Sequence, residues 1–275
     1  MLKFIKLSAI AFVTSSIIST EALAEIKLIG EATQGGLMIG KTSAHNTVKF
    51  DDKALAVSAN GDFVFGFGRD DTQSHQLVVT TPAGKVVKQS IIPEKRSYKI
   101  QRIEGIAKSI MKPDPKSVAR AKLDNQQIAA ARKTSSSTNF FAQGFIPPID
   151  GEITGVYGSQ RVFNGEPKRP HFGLDYAGKT GDPVKAPASG KVLLFVPDMF
   201  YSGGTMIIDH GQGITSTFLH LSKSYVKVGE LVSKGQVVAA VGASGRATGP
   251  HLDWRINWFN VRIDPASVLK IKPLD

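Results

Sequence analysis

Gly190-Lys191-Val192-Leu193-Leu194-Phe195, Gly204-Thr205-Met206-Ile207-Ile208-Asp209 and Gln236-Val237-Val238-Ala239-Ala240-Val241 are short apolar runs of strand length, separated by glycine-rich turns. From Ile153 onward the pattern repeats, and no helical period interrupts it before the end. Runs of this kind, bounded by turn residues, read as strands. The fold expected for this half is an antiparallel sheet, curled or doubled on itself, with its chemistry on one face and in the loops.

Working outward toward the N-terminus, Pro113-Asp114-Pro115 breaks the preceding structure and Lys116 to Lys133 has a helical composition. Thr134-Ser135-Ser136-Ser137-Thr138 then reads as a flexible linker. Before it, Leu37-Met38-Ile39, Thr47-Val48-Lys49-Phe50, Phe63-Val64-Phe65 and Leu77-Val78-Val79 alternate with turn signals at Gly35-Gly36, Asp51-Asp52, Asn60-Gly61 and Ala83-Gly84. That spacing suggests a small β-sandwich. Its His45 and His75 lie near turns and read as surface histidines without chemistry.

The first residues are a targeting segment. Lys3 and Lys6 precede an apolar run from Leu7 to Ile18, and Ala22-Leu23-Ala24 is a signal-peptidase pattern. The run is short for a bilayer span, so cleavage before Glu25 and no stable membrane insertion are expected. The division is a signal peptide over 1–24, an N-terminal β-domain over 25–105, a helical and flexible linker over 106–139, and a mainly β C-terminal domain over 140–275. The chain has no cysteine, which excludes disulfides, thiolate zinc sites and a thiol nucleophile. Its formal net charge of +11 favours a polyanionic partner. For an exported protein that means peptidoglycan carboxylates, anionic lipid headgroups or lipopolysaccharide, and not nucleic acid.

Polar residues able to hold a metal gather at three places in the second half. They are His171-Phe172-Gly173-Leu174-Asp175, Phe218-Leu219-His220-Leu221 and Pro250-His251-Leu252-Asp253-Trp254. In a strand, residues i and i+2 share a face, so His251 and Asp253 point one way while Leu252 and Trp254 point the other. A hydrolytic zinc site needs three His or carboxylate ligands, an open position for water and a group to move protons. Three imidazoles and two carboxylates suffice for both tasks. His210 follows Ile207-Ile208-Asp209 and suits a structural, hydrogen-bonded role. Arg161, Asn164 and Lys168, in the loop before His171, and Tyr201 are expected to wall a groove.

His171-x-x-x-Asp175, Asp209-His210-Gly211, Phe218-Leu219-His220-Leu221 and Thr248-Gly249-Pro250-His251-Leu252 together resemble the lysostaphin-type (LytM-type) zinc metallopeptidases. So do Val228-Gly229-x-x-Val232-x-x-Gly235-Gln236 and Gly242-x-x-Gly245. The resemblance covers about Gly151 to Pro265, in the family's order. It implies a single-zinc endopeptidase acting on peptidoglycan crosslinks, with one Zn2+ per chain. His171 and Asp175 match zinc ligands, and His220 and His251 match the catalytic pair. Asp253 stands where the family has a third histidine ligand. Carboxylate oxygen and imidazole nitrogen bind zinc at similar distances, so a His-Asp-Asp site is expected. On this reading Asp253→His keeps the metal. The alternative function is that of family members that have lost their ligands and act as non-catalytic activators of cell-wall amidases.

Two other classes share the strand pattern. Ala186-Pro187-Ala188-Ser189-Gly190-Lys191-Val192 and Val226 to Gly242 resemble biotinyl and lipoyl carriers, and the paired histidines resemble sugar phosphocarriers. No lysine has a carrier's hairpin setting, and neither class is exported.

Overall fold

The computed structural model describes residues 26–106 and 114–273. The expected signal peptide lies outside the described residues, as does Pro113. Among the described residues no helix is long and apolar enough to cross a membrane.

The N-terminal part builds strands β1 (Lys27–Gly30), β2 (Leu37–Lys41), β3 (Thr47–Phe50), β4 (Lys53–Leu55), β5 (Asp62–Gly66), β6 (His75–Thr80) and β7 (Val86–Ile91). They form two antiparallel sheets, ordered β1-β2-β5 and β4-β3-β6-β7. Their alternating inner residues meet: Phe50 of one sheet stacks on Phe65 of the other at 4.5 Å, with Phe67 edge-on to both. This is the expected small sandwich, held by large aromatic side chains that are almost completely buried.

One histidine in the sandwich departs from expectation. His75 is half-buried, with Nδ1 2.8 Å from Asp51 and Nε2 3.1 Å from Asp71, and its ring stacks on Phe50. Burial pushes its pKa down, but the two carboxylates outweigh burial and hold it above the usual histidine value. Asp51 follows from the β3–β4 turn, a contact that no local spacing announces. A raised folded-state pKa stabilises fully below about pH 6.5, the unfolded value, and the gain disappears as pH rises through the folded value. The expected result is that His75→Gln lowers the Tm most under acidic conditions and much less in alkaline buffer. A Tm difference that does not change with pH would refute this. His45 is exposed, as expected.

The chain next adds β8 (Ile100–Ile103), which leaves the sandwich, and helix α1 (Pro115–Lys133). Asp114 caps α1 by accepting from the Ser117 amide, with Pro115 in the first turn. The Thr134–Thr138 segment expected to be flexible is pinned down. Ser136 donates from both N and Oγ to the Asp209 carboxylate, and Gln212 N donates to the Ser136 carbonyl. Short polar side chains that suit a linker here satisfy a buried carboxylate.

The second half comprises β9 (Ile153–Gly155), β10 (Gln160–Phe163), β11 (Glu166–Pro167), β12 (Leu174–Ala177), β13 (Pro183–Lys185), β14 (Gly190–Met199), β15 (Gly203–Gly211), β16 (Ile214–Ser224), β17 (Leu231–Val232), β18 (Val237–Val241), β19 (His251–Trp258) and β20 (Val261–Ile263), then the short helix α2 (Pro265–Val268). A ten-stranded sheet runs β17-β14-β15-β16-β19-β12-β9, with β18 on β16, β13 on β18 and β20 on β19. All its pairings are antiparallel, as the apolar runs imply. β8 pairs in parallel with β10, so the N-terminal part supplies a strand beside the groove described below.

The buried side chains form one core that continues from the sandwich into the large sheet. Phe50 meets Trp258 edge-on at 6.1 Å, and Arg69 donates twice to the Gly158 carbonyl. Gly66 allows this close approach, because a methyl there would lie 2.5 Å from Ile263 Cδ1.

Candidate metal centre

Strand register brings the acidic pair together. On β12 and β19, Asp175 lies directly opposite Asp253, so both carboxylates project from the same face of the sheet. The residues next to Asp253, Leu252 and Trp254, are fully buried on the opposite face, as period two requires. His171 precedes β12 in a loop fixed by exchange with Gly158 and Ser159: Gly158 N donates to His171 O, and His171 N donates to Ser159 O. Its Nε2 lies 3.1 Å from Asp175 Oδ1. One donor atom each from His171, Asp175 and Asp253 lie within 4.8 Å of one another.

Two glycines make room for these carboxylates. A Cβ on Gly155, opposite Asp175 on β9, would fall 2.1 Å from Asp175 Oδ2. A Cβ on Gly173 would fall 2.2 Å from Asp253 Oδ1 and 2.8 Å from the Trp254 carbonyl. Gly173→Ala is therefore expected to push Asp253 out of the cluster and to lower bound metal per chain, as measured by elemental analysis after dialysis. Unchanged metal content would show that Asp253 is not needed for binding.

His171 Nε2 and Asp175 Oδ1 are buried and have no hydrogen-bond donor among the described residues. Facing each other at 3.1 Å, the two atoms require a shared proton or a cation between them. A divalent ion with nitrogen and oxygen ligands supplies that charge. The set fits.

Arg255 is the residue that reading the sequence missed. It lies two residues after Asp253 on the same face of β19. Its Nε donates to Asp253 Oδ1 at 2.9 Å, and its Nη2 donates to Oδ2. Burial pushes the Asp253 carboxyl up, but the Arg255 guanidinium outweighs burial and holds it below the ordinary aspartate value. Each carboxylate oxygen has two lone pairs, so Asp253 can accept from Arg255 and still face a cation. The second anion thus arrives already neutralised. This changes the expectation for Asp253→His, which would leave Arg255 without its partner.

His220 and His251 lie side by side, ring centroids 4.7 Å apart. His220 Nδ1 donates to the Ser244 carbonyl and His251 Nδ1 to the Gly249 carbonyl, both at 2.8 Å. Each bond fixes the tautomer and leaves Nε2 with its lone pair. Burial holds the His220 pKa below the usual histidine range. His220 also has a positive φ of 62°, at a break in the β15–β16 register between Gly204 and Met206. Such a conformation is costly for a non-glycine residue and clusters at functional positions.

His210 has the structural role expected of it. Its Nδ1 donates to Ser189 O, Nε2 accepts from Ser216 Oγ, and burial lowers its pKa to about 4. A groove of about 1020 Å³ passes His171, Asp175 and His220 and is walled in part by Arg161, Lys168 and Tyr201. Asn164 is not part of that wall. Its amide instead exchanges two hydrogen bonds with the backbone of Ile106, because its left-handed backbone turns the side chain toward the end of β8.

The Peptidase family M23 model matches residues 169–265, a span that contains His171, Asp175, His220, His251 and Asp253. The chain carries an M23 peptidase domain. Across this domain the chain is 41% identical over 95 residues to the peptidoglycan DD-endopeptidase ShyB of Vibrio cholerae, covering 34% of this chain and 22% of that protein. It is 37% identical over 100 residues to the DD-carboxypeptidase/endopeptidase Mpg of Neisseria meningitidis, covering 36% of this chain and 23% of Mpg. The chain thus spans less than a quarter of these relatives' length. A crystal structure from Pseudomonas aeruginosa assigned to peptidase M23 is similar over more of the chain. It has a TM-score of 0.66 at 28% identity and covers 87% of this chain and 95% of that one. The M23 domain and the sandwich before it are therefore both within the matched fold.

Proposed function

We propose that this protein is an exported zinc endopeptidase that hydrolyses peptide crosslinks of peptidoglycan, with His171, Asp175 and Asp253 as metal ligands and His220 and His251 as the catalytic pair. The observation that carries this reading is the convergence of three donor atoms, two of them buried without a hydrogen-bond donor, inside an M23 domain. The names of the relatives, peptidoglycan DD-endopeptidase and DD-carboxypeptidase/endopeptidase, support the substrate class. One zinc per chain would supply a Lewis acid and a water of lowered pKa.

The protein's own residues do the rest. His220 and His251 present free Nε2 atoms beside the ligand cluster, suited to accept a proton and return it to a leaving amine. Carbonyl acceptors hold both rings in that orientation, so no reorganisation is needed during the reaction. The depressed His220 pKa keeps its ring neutral, and hence able to act as a base, at neutral pH. Arg255 orients Asp253 and offsets its charge.

No observation favours the alternative of a non-catalytic amidase activator, since a decayed site need not keep both ligands and proton carriers. The test is digestion of purified peptidoglycan by the mature protein, with fragments identified by mass. Crosslinked dimers should be converted to monomers, and chelator should stop the conversion. Intact crosslinks, together with a stimulated partner amidase, would replace this reading with the activator.

A further inference from the structure

Four arginines meet at one end of the groove. Arg132 comes from the last turn of α1, Arg169 from the loop before His171, Arg255 from β19 and Arg262 from β20. Arg132 is buried, with Nη2 donating to Thr217 Oγ1 at 2.8 Å and Nε without a partner. Thr217 is directly opposite Arg255 across β16 and β19, so Arg132 lies over the same sheet face as the metal cluster. Arg169 and Arg262 both stand over the Phe172 ring, at 5.6 and 5.9 Å.

Of the four, only Arg255 has a carboxylate partner among the described residues. Burial and the neighbouring Arg262, Arg255 and Arg169 charges push the Arg132 pKa down to about 8. Arg132 is the buried member of the group, and holding it beside the half-buried Arg262 and the exposed Arg169 without a carboxylate costs free energy that an anionic ligand in the groove would offset. Guanidinium forks match the planar, two-oxygen face of a carboxylate.

We propose that Arg132, Arg169 and Arg262 form a subsite for a free carboxylate of the bound peptide, next to the bond to be cut. The proposal rests on the function proposed above and adds the substrate feature that is recognised. The groove is continuous from the metal cluster, so the occupant is part of the peptide lying there. A stem peptide ends in a free carboxylate, which only full amidation removes. The helix between the two β regions thereby contributes a substrate-binding side chain from outside the span matched by the family model.

The test titrates the full mature chain with an uncrosslinked stem peptide in its free-acid form and in its fully amidated form, by calorimetry. The acid should bind about tenfold more tightly, the equivalent of one charge-assisted contact, and added salt should erase the difference. Arg169→Gln changes an exposed side chain, and Arg262→Gln a half-buried one. Each should shrink the preference to about threefold or less while bound metal and Tm stay unchanged; Arg132→Gln should do the same if it folds. Equal binding of the two forms by the wild type, or an undiminished preference in Arg169→Gln and Arg262→Gln, overturns the subsite. Hydrolysis of crosslinked dimers is read separately. Cleavage without acid preference removes the subsite and leaves the endopeptidase. Acid preference without cleavage does the reverse, and failure to bind either form removes the subsite whatever the hydrolysis shows.

Discussion

Asp253→Ala is expected to remove bound metal and hydrolysis together, and Asp253→His to weaken metal binding about a hundredfold. The alanine variant leaves two ligands, which hold a divalent ion poorly. It also takes from Arg255 the carboxylate bonded to it, beside Arg132, Arg169 and Arg262. The histidine variant restores a neutral zinc ligand, but its environment is wrong. Arg255 loses the pair in which both carboxylate oxygens accept from it, and it would then face a dication and a neutral ring. The Asp253 side chain is 4% exposed and that of Arg255 is 22% exposed. Breaking a buried ion pair by removing one partner costs about 3–5 kcal/mol, and the remaining exposure of Arg255 puts this case at the lower end. That cost falls on the apo and metal-bound forms alike and lowers stability. The loss of affinity comes from the guanidinium, no longer offset by a carboxylate, facing the dication, and a hundredfold loss corresponds to about 2.7 kcal/mol. The double variant Asp253→His/Arg255→Gln removes the stranded charge and should recover most of the metal. The measurement is chelator competition on wild type, both single variants and the double variant. Wild-type affinity in Asp253→His alone would show that the Arg255 pair is not coupled to the metal site.

His220→Asn and His251→Ala should each reduce kcat for crosslink hydrolysis by about 10²–10⁴-fold, the usual worth of a positioned proton carrier, while bound metal is retained. Asparagine is the better replacement at 220. The residue has φ 62°, a conformation that asparagine tolerates and alanine resists, so His220→Ala would mix a backbone penalty with the chemical loss. His171→Ala, by contrast, should lose metal and activity together. Turnover by single-turnover assay and metal content by elemental analysis separate the two outcomes. If His251→Ala released the metal, the roles within His251-Leu252-Asp253 would be reversed and His251 would be a ligand.

Much of this site was legible along the chain because strands impose a period of two. That period puts His251 and Asp253 on one face and sends Leu252 and Trp254 into the core. The same period carried one step further reaches Arg255, so the partner of Asp253 is marked by the strand spacing as well. The sandwich was legible for a similar reason: its aromatic residues alternate within runs closed by turn residues, a spacing that gathers them on one face of a strand and would scatter them around a helix.

By itself, then, the sequence determined what repeats locally: strand identity, the inward and outward faces, the helix start at Asp114, and the residue types able to bind metal. Only the tertiary structure decided which strands lie side by side, and hence that Asp175 sits opposite Asp253 with glycines at 155 and 173 leaving space for both. It also placed Arg132, 85 residues before its partner Thr217, among the arginines of the groove, and set Asp51 against His75. Local preferences act over a few residues, through backbone sterics and side-chain spacing. Contacts between distant segments are set by which faces must be buried together, and no short stretch of sequence records that choice.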